Sequence, residues 1–569
     1  MLRFWPPLRV PSPVSQHLRI PFSSRRRLFN VGSKPSTLSP HSLPDGGSGK
    51  PVPPHDPYTY TSGRWLHRDE LERKSRQIVF DFSALRDRAI SLCPGATKMV
   101  ECEKREGGFN RVFLFTMDTG PCVVARLPTG IAGPPRLTTN SEVATMTYLQ
   151  SKISVPIPKI LDWSDDPSNP IGAEYIFQEH VAGVQLHQMW PKMDSEQHML
   201  CTKMLALAMR DMASLDFPAY GSLYFSDAPL ESHMKIPFDQ GFCVGPHCNP
   251  VFWNRNPGEL GLYGGPSPNC GPWRDLTSYC LGLIETGFSR LPKEDAGNRD
   301  LLPHQGSIGD HINLLKISQE VMQKLVKDKR IQDAATPALI HPDFHKRNIY
   351  VSAEVTTVIT GVLDWQSASI EPAFIYANET PDFAALPQEA DGNIFENGQE
   401  EHKDPARKER ECKDALICYQ TYDVCMKGLA PKLRPARLLD PSLFRVFHYC
   451  HTTWRDSATA LRQELIELSA RWTELGLQDS CPFSPTEEEL KKHARDYEDF
   501  ETVQKLKLWL RNSLHTNSDG WVPNDVWNAA KDAHRAAYDE WIQMARESEA
   551  RGEGLTVAKA DKLWPFDSR

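Results

Sequence analysis

The sequence predicts an α+β chain of two lobes, a small β-rich N-terminal lobe and a larger helical one, with a helical C-terminal extension. Three observations carry this. Residues 97–127 hold three β-prone runs, parted by Gly107-Gly108 and by Asp118-Thr119-Gly120. From Asp194 onward apolar residues recur at helical spacing. Late in the second lobe, residues 338–372 read as a polar loop, a hairpin of short apolar runs and a second polar loop.

Length and composition set the frame. A chain of 569 residues exceeds one ordinary domain, and 40% hydrophobic with 24% charged residues is a globular composition. A formal net charge of −8 argues against nucleic-acid binding. No apolar run approaches the ~18 residues that a transmembrane helix requires. The 13 cysteines are scattered without a CxxC pair, which reads as reduced thiols. Cys243, His247, Cys248 and Cys270 share a Gly/Pro-rich loop, but their spacing fits no zinc pattern.

Taken in order, residues 1–44 contain no Asp or Glu, carry seven Lys or Arg and many serines, and read as a mitochondrial transit peptide. Its prolines weaken the amphipathic helix such leaders form, and a basic cytosolic tail is the alternative. The expected divisions are a leader over 1–35, a disordered linker over 36–75, a β-rich lobe over 76–180, a helical lobe over 181–400 and a helical region over 401–569.

Leu85, Ala89 and Leu92 predict a short helix before the first sheet. The three strands then run 99–104, 111–117 and 121–127, and Gly107 and Gly108 leave backbone N–H groups open to close approach. Arg126 lies in the third strand, and Glu142 lies on a helix predicted over 141–150 as its ion partner. Strands are expected at 160–163 and 173–178. The run Tyr175–Gly183 then links the lobes. Met204, Leu207, Met212 and Leu215 are taken as the core stripe of the helix that starts after Asp194. Residues 236–275 form a long irregular insert, whose Phe252, Trp253, Arg255, Tyr263 and Trp273 either face a substrate cleft or pin the loop to its lobe. Ile312, Leu315, Val321, Met322 and Leu325 mark a helix ahead of the polar loop. Beyond a charged stretch at 386–411, helices are expected around Leu461–Trp472 and Leu490–Leu510, with Trp521, Trp527 and Trp541 among helix formers. No internal repeat is found.

The polar loop carries the chemistry. It reads His341-x-Asp343-x-x-x-x-Asn348, and a hairpin later the chain reaches Asp364. Phosphoryl transfer needs positioned metal ions and a carboxylate near the attacking hydroxyl, and little covalent help from the protein. Asp343 can take the hydroxyl proton. Asn348 and Asp364 offer Mg²⁺ one neutral and one charged oxygen, and substrate phosphates complete its shell.

His341-Pro342-Asp343-Phe344-His345-Lys346-Arg347-Asn348 resembles the HGDxxxxN loop of the aminoglycoside phosphotransferase family, a branch of the protein-kinase-like fold. Leu363-Asp364-Trp365 resembles that family's metal segment, and Tyr175–Gly183 its hinge. The resemblance covers residues 80–385 well. It implies ATP and Mg²⁺ as cofactors, with Asp343 as base and Asn348 and Asp364 as metal ligands. It also places Gly107 and Gly108 against phosphates and Gln178 and His180 beside adenine. His341 and Trp365 are expected to pack. Arg126 stands where the family has lysine, and an arginine fork is a different tool from an ammonium. The leader, Arg126, Gly271-Pro272-Trp273 and the helical tail together resemble the fungal mitochondrial members called altered inheritance of mitochondria proteins.

The implied function is transfer of the ATP γ-phosphate to an unidentified hydroxyl acceptor in the mitochondrion, with the matrix as the expected compartment. The rival is a pseudokinase-like binding or scaffolding protein there. Transfer of AMP is a third reading. The C-terminal helices are a candidate surface for a protein partner.

Overall fold

The computed structural model describes residues 56–120, 122–253, 268–292, 301–386, 405–514, 516–517, 519–552 and 554–566. The leader, Arg255, Tyr263 and most of the charged stretch at 386–411 lie outside the described residues.

Among the described residues the first elements are β1 (Gly63–Trp65) and a helix at Asp69–Ser75, within the stretch expected as a disordered linker. What the composition hid is a partner far away in sequence: β1 pairs antiparallel with β15 (Trp521–Pro523), in register Gly63↔Pro523 to Trp65↔Trp521.

The N-terminal lobe is a five-stranded antiparallel sheet. Its strands are β2 (Met99–Glu106), β3 (Asn110–Met117), β4 (Cys122–Pro128), β5 (Ile160–Ser164) and β6 (Tyr175–Glu179), in the order β2-β3-β4-β6-β5. Alternation along β3 sends Phe113, Phe115 and Met117 to one face. They pack with Phe82, Leu85 and Ala89 of helix Phe82–Ser91. Asp81 starts that helix by accepting the N–H groups of Ser83 and Ala84. Helix Leu137–Lys152 is buried along most of its length and carries Glu142.

The C-terminal lobe is built on helices Ser195–Ala213, Leu276–Ser289, Ile308–Leu325, Pro405–Leu429 and Ala458–Arg471 around one apolar core. Helix Ser195–Ala213 begins with a capping box between Asp194 and Gln197. Its buried stripe is Cys201, Leu205, Met209 and Met212; Met204, predicted as core, is 47% exposed. The error is one of phase, because Met204 and Leu205 are both apolar and adjacent. Leu461, Leu465, Leu468 and Trp472 form the stripe read from the sequence. Because this core continues to Phe483, the lobe runs well past the boundary expected at residue 400.

A separate cluster gathers Leu506, Leu510, Trp527, Trp541 and Ala560 from helices Glu487–Leu514, Trp527–Arg551 and Val557–Leu563, together with Trp564 just past the last helix and Leu66 from the N-terminal side. The expected C-terminal region is thus two things: the end of the lobe, and a terminal unit that carries β1. In helix Glu487–Leu514, Leu490 is exposed and the core face begins at His493. Trp521, read among helix formers, lies in β15.

Candidate active site

Two nested strand pairs bring the polar residues together. β11 (Pro337–Ile340) pairs with β14 (Ser369–Pro372), and β12 (Ile349–Val351) pairs with β13 (Ile359–Val362). The loops 341–348 and 363–368 are each tied off at both ends by these ladders and must lie side by side. The Leu363 N–H donates to the Asn348 carbonyl at 2.8 Å and closes the gap between them.

Within loop 341–348, His341 is a strut. The Asp343 N–H donates to its Nδ1 at 3.0 Å, and its Nε2 lies 2.8 Å from the Leu363 carbonyl. Trp365 meets its ring edge-on at 4.5 Å, is fully buried and donates its indole N–H to the Val362 carbonyl. Packing is therefore the part that both play. The Asn348 amide donates to the Asp343 carbonyl and to Asp343 Oδ2, each at 3.0 Å. Committing the NH₂ this way turns the amide oxygen away from Asp343. Burial and then the nearby Asp364 push the Asp343 carboxyl above its ordinary value, with His345 opposing them.

Asp364 takes a φ of 67°, a left-handed conformation that asparagine and aspartate tolerate better than other side-chained residues. It faces Arg126 across the cleft. The guanidinium forks, one nitrogen to Glu142 and the other to Asp364 Oδ1 at 3.0 Å. Arg126 and Glu142 are 7% and 3% exposed. Burial works against the guanidinium charge, but the two carboxylates outweigh it and hold the group protonated. The pair foreseen in the sequence forms, and its third member, Asp364, was not foreseen.

Gly107 and Gly108 turn β2 into β3, and the Gly107 N–H donates to the Asn110 carbonyl at 2.9 Å. Neither has a positive φ, and a Cβ on Gly108 would meet nothing within 4 Å. What the missing side chains spare is the space over the turn.

Gln178 lies inside β6, flanked by Val124 on β4 and Ile160 on β5, with its side chain buried. Only His180 lies past the strand and exposed, so of the two hinge candidates it alone occupies the free stretch. Gly183 closes that stretch with a φ of 115°, where a Cβ would collide with the Val351 carbonyl. In the insert, Phe252 and Trp273 are buried, and Trp253 donates its indole N–H to His247 O. His247 in turn meets Glu371 of β14 at 2.5 Å. These aromatics pin the loop onto the lobe.

Two features escaped the sequence reading. His345 Nε2 lies 3.2 Å from Asp343 Oδ1, and its Nδ1 is 3.6 Å from Asp382, so an imidazole bridges the proposed base to a second carboxylate. Asn110 and Gln366 exchange side-chain hydrogen bonds at 2.9 and 3.3 Å, joining the glycine turn to the Asp364 loop. His345 sits within the loop motif and could have been singled out; Asp382 and Gln366 carry no local signal.

The donor set suits Mg²⁺: hard oxygens, one amide and one carboxylate. Among the described residues no group of three or more His, Cys, Asp or Glu gathers as a set of metal ligands.

Residues 102–375 match the family described as Phosphotransferase enzyme family. A subtelomeric hrmA-associated cluster protein of Aspergillus fumigatus is 27% identical over 513 residues, covering 83% of this chain and 97% of that protein. The mitochondrial altered inheritance of mitochondria protein 9 of Yarrowia lipolytica is 23% identical over 517 residues, 83% of this chain and 85% of that one. Among solved structures, a putative aminoglycoside phosphotransferase of Ralstonia eutropha aligns at TM-score 0.37 and 16% identity, over 74% of this chain and 97% of its own. Across residues 102–375 the chain is thus similar to the phosphotransferase enzyme family.

Proposed function

We propose that this protein is an ATP- and Mg²⁺-dependent phosphotransferase that moves the γ-phosphate to a hydroxyl acceptor. The observation that carries it is the joint placement of Asp343, Asn348 and Asp364 on two loops laced together, with Arg126 and the glycine turn facing them from the other lobe. Asp343 accepts the acceptor's proton, and burial, which pushes its carboxyl above the ordinary value, strengthens it as a base. Asn348 and Asp364 would hold Mg²⁺, which supplies charge neutralisation on the phosphates. Arg126 lies against the phosphates, and Glu142 fixes its fork. The turn at Gly107 and Gly108 lets phosphates approach its backbone over Gly108, where no side chain stands in the way, and the backbone at His180 holds adenine. In phosphoryl transfer such positioning and electrostatics supply most of the acceleration.

A mitochondrial location is supported by the acid-free basic leader and by the name of the Yarrowia relative, and the matrix is the compartment such a leader addresses. Fusion of residues 1–45 to a reporter tests it; a diffuse cytosolic signal removes it.

One observation favours the rival reading, a nucleotide-poor scaffold. Arg126 already donates to Asp364, the residue on which Mg²⁺ depends. The two readings part in a thermal-shift experiment with ATP, with and without Mg²⁺. A working site is stabilised by Mg·ATP, and Asp364→Asn weakens that stabilisation. No shift at millimolar nucleotide sinks the enzymatic reading. A screen of metabolite extracts for ATP-dependent products, with Asp343→Ala as control, then identifies the acceptor, and the added mass separates phosphate from AMP.

A further inference from the structure

Resting on the phosphotransfer reading, a second arrangement assigns a task to the terminal unit. The glycine turn is gripped from outside its own lobe. Arg76, at the end of helix Asp69–Ser75, donates its Nε–H to the Gly108 carbonyl at 3.1 Å. Its guanidinium is held from two sides. Glu72 Oε2 accepts from it at 2.6 Å, and the Trp65 ring lies 4.4 Å beneath it. Glu106, the residue just before the turn, is equally committed. Its Oε2 accepts the N–H groups of Thr61 and Ser62 at 2.7 Å and the Ser62 hydroxyl at 2.8 Å. Arg111, opposite Glu106 in the register, donates to the carbonyls of Pro57 and Arg76 at 2.9 and 3.2 Å.

The strap at 56–66, which supplies the partners of Glu106, one acceptor of Arg111 and the ring beneath Arg76, is itself tied to the terminal unit. β1 pairs with β15, the Leu66 N–H donates to the Gly520 carbonyl, and the Trp65 indole donates to Asp519 at 3.1 Å. The Trp521 indole donates to Tyr60 at 2.9 Å, and the Arg64 guanidinium stacks on Trp527 at 4.4 Å. An isolated three-residue strand has no stability of its own, so the strap is only as firm as the unit it docks on.

We propose that the strap and the terminal helical unit together form a brace that fixes the Gly107–Gly108 turn in its nucleotide-ready form, with Arg76 and Glu106 as positioning residues. Glycine turns are loose by nature, and an ordered turn spares the nucleotide the entropy of ordering it. The geometry supplies the ordering in advance: a buried cation on the turn's carbonyl and a buried carboxylate at its root.

The test uses the full-length protein and two variants, Arg76→Met and the milder Glu106→Gln. Amide exchange is read over residues 105–111 without nucleotide, and the Mg·ATP dissociation constant is measured well below the melting temperature. The expected result is exchange at Gly107 about tenfold faster and a dissociation constant raised about tenfold in Arg76→Met, the scale of one charge-assisted hydrogen bond. Smaller changes of the same sign are expected in Glu106→Gln, which also serves if Arg76→Met fails to fold. Unchanged exchange in the folded variants overturns the brace. Faster exchange with an unchanged dissociation constant overturns its part in nucleotide binding. Failure of the unsubstituted protein to bind Mg·ATP removes the phosphotransfer reading instead, and is told apart because exchange is read without nucleotide.

Discussion

Replacing Arg126 by methionine gives the most informative perturbation. The guanidinium is nearly sealed from solvent and serves two carboxylates of very different exposure: the Glu142 side chain is 2% exposed and that of Asp364 is 39%. The Asp364 arm is screened by water and contributes ~1 kcal/mol or less. The Glu142 arm is another matter. Without Arg126 a carboxylate stays in the core with no counter-charge, and breaking a buried pair from one side costs ~3–5 kcal/mol. Arg126→Met should therefore lower unfolding free energy by about that amount. Glu142→Gln added to it removes the stranded charge, and the double variant should recover about 2 kcal/mol or more. Urea unfolding of the nucleotide-free protein, followed by fluorescence and circular dichroism, measures all four corners of the cycle. Effects that add within ~0.5 kcal/mol would show that the two side chains do not meet, and the reasoning about the cleft would fall with them. Arg126→Lys extends the test, since one ammonium cannot reproduce a fork. It should keep most of the stability and release Asp364.

Three further outcomes are expected. Asp343→Asn should lower turnover by ~10²–10⁴-fold while Mg·ATP still raises the melting temperature, because base and nucleotide site are separate groups; equal activity would dismiss Asp343 as the base. Gly108→Val should leave the melting temperature within a few degrees, since a Cβ there meets nothing, yet weaken Mg·ATP binding measured by calorimetry; unchanged affinity would mean that phosphates do not approach the turn. Glu464 is 3% exposed, with one carboxylate oxygen lacking a hydrogen-bond partner, and burial pushes its carboxyl up to about 7 from an ordinary 4.5. The folded state thus takes up a proton on folding between those values, and the stability it brings is lost as pH rises through the higher one. Glu464→Gln should stabilise by about 2.5 kcal/mol more at about pH 8 than at about pH 5, and equal gains at both would refute the assignment.

The short-range features were legible. The glycine turn, the loop from His341 to Asn348 and the hairpin to Asp364 each occupy few residues, and each has its own turn chemistry or alternation. Arg126 and Glu142 were paired correctly because strand-then-helix places them face to face. Phase was harder to read. Met204 and Leu205 are equally apolar neighbours, and only the packed lobe decides which points inward. Long-range juxtapositions left no mark in the sequence: Asp382 beside His345, Gln366 against Asn110, and above all β1 beside β15. Residues 56–66 are rich in turn formers, and their order comes from distant partners: Thr61 and Ser62 on Glu106, 45 and 44 residues away, and Trp65 on Asp519, 454 away.

That pairing sets an order of events. A chain made or threaded N-terminus first presents Trp65 long before Trp521 exists, and the early strand must wait, unpaired, for its mate. Both main lobes have all their residues in hand by Phe483 and can condense first. The last step is then the return of the tail to seal the beginning. On the brace proposed above, closing so large a loop would bring the order of the glycine turn late.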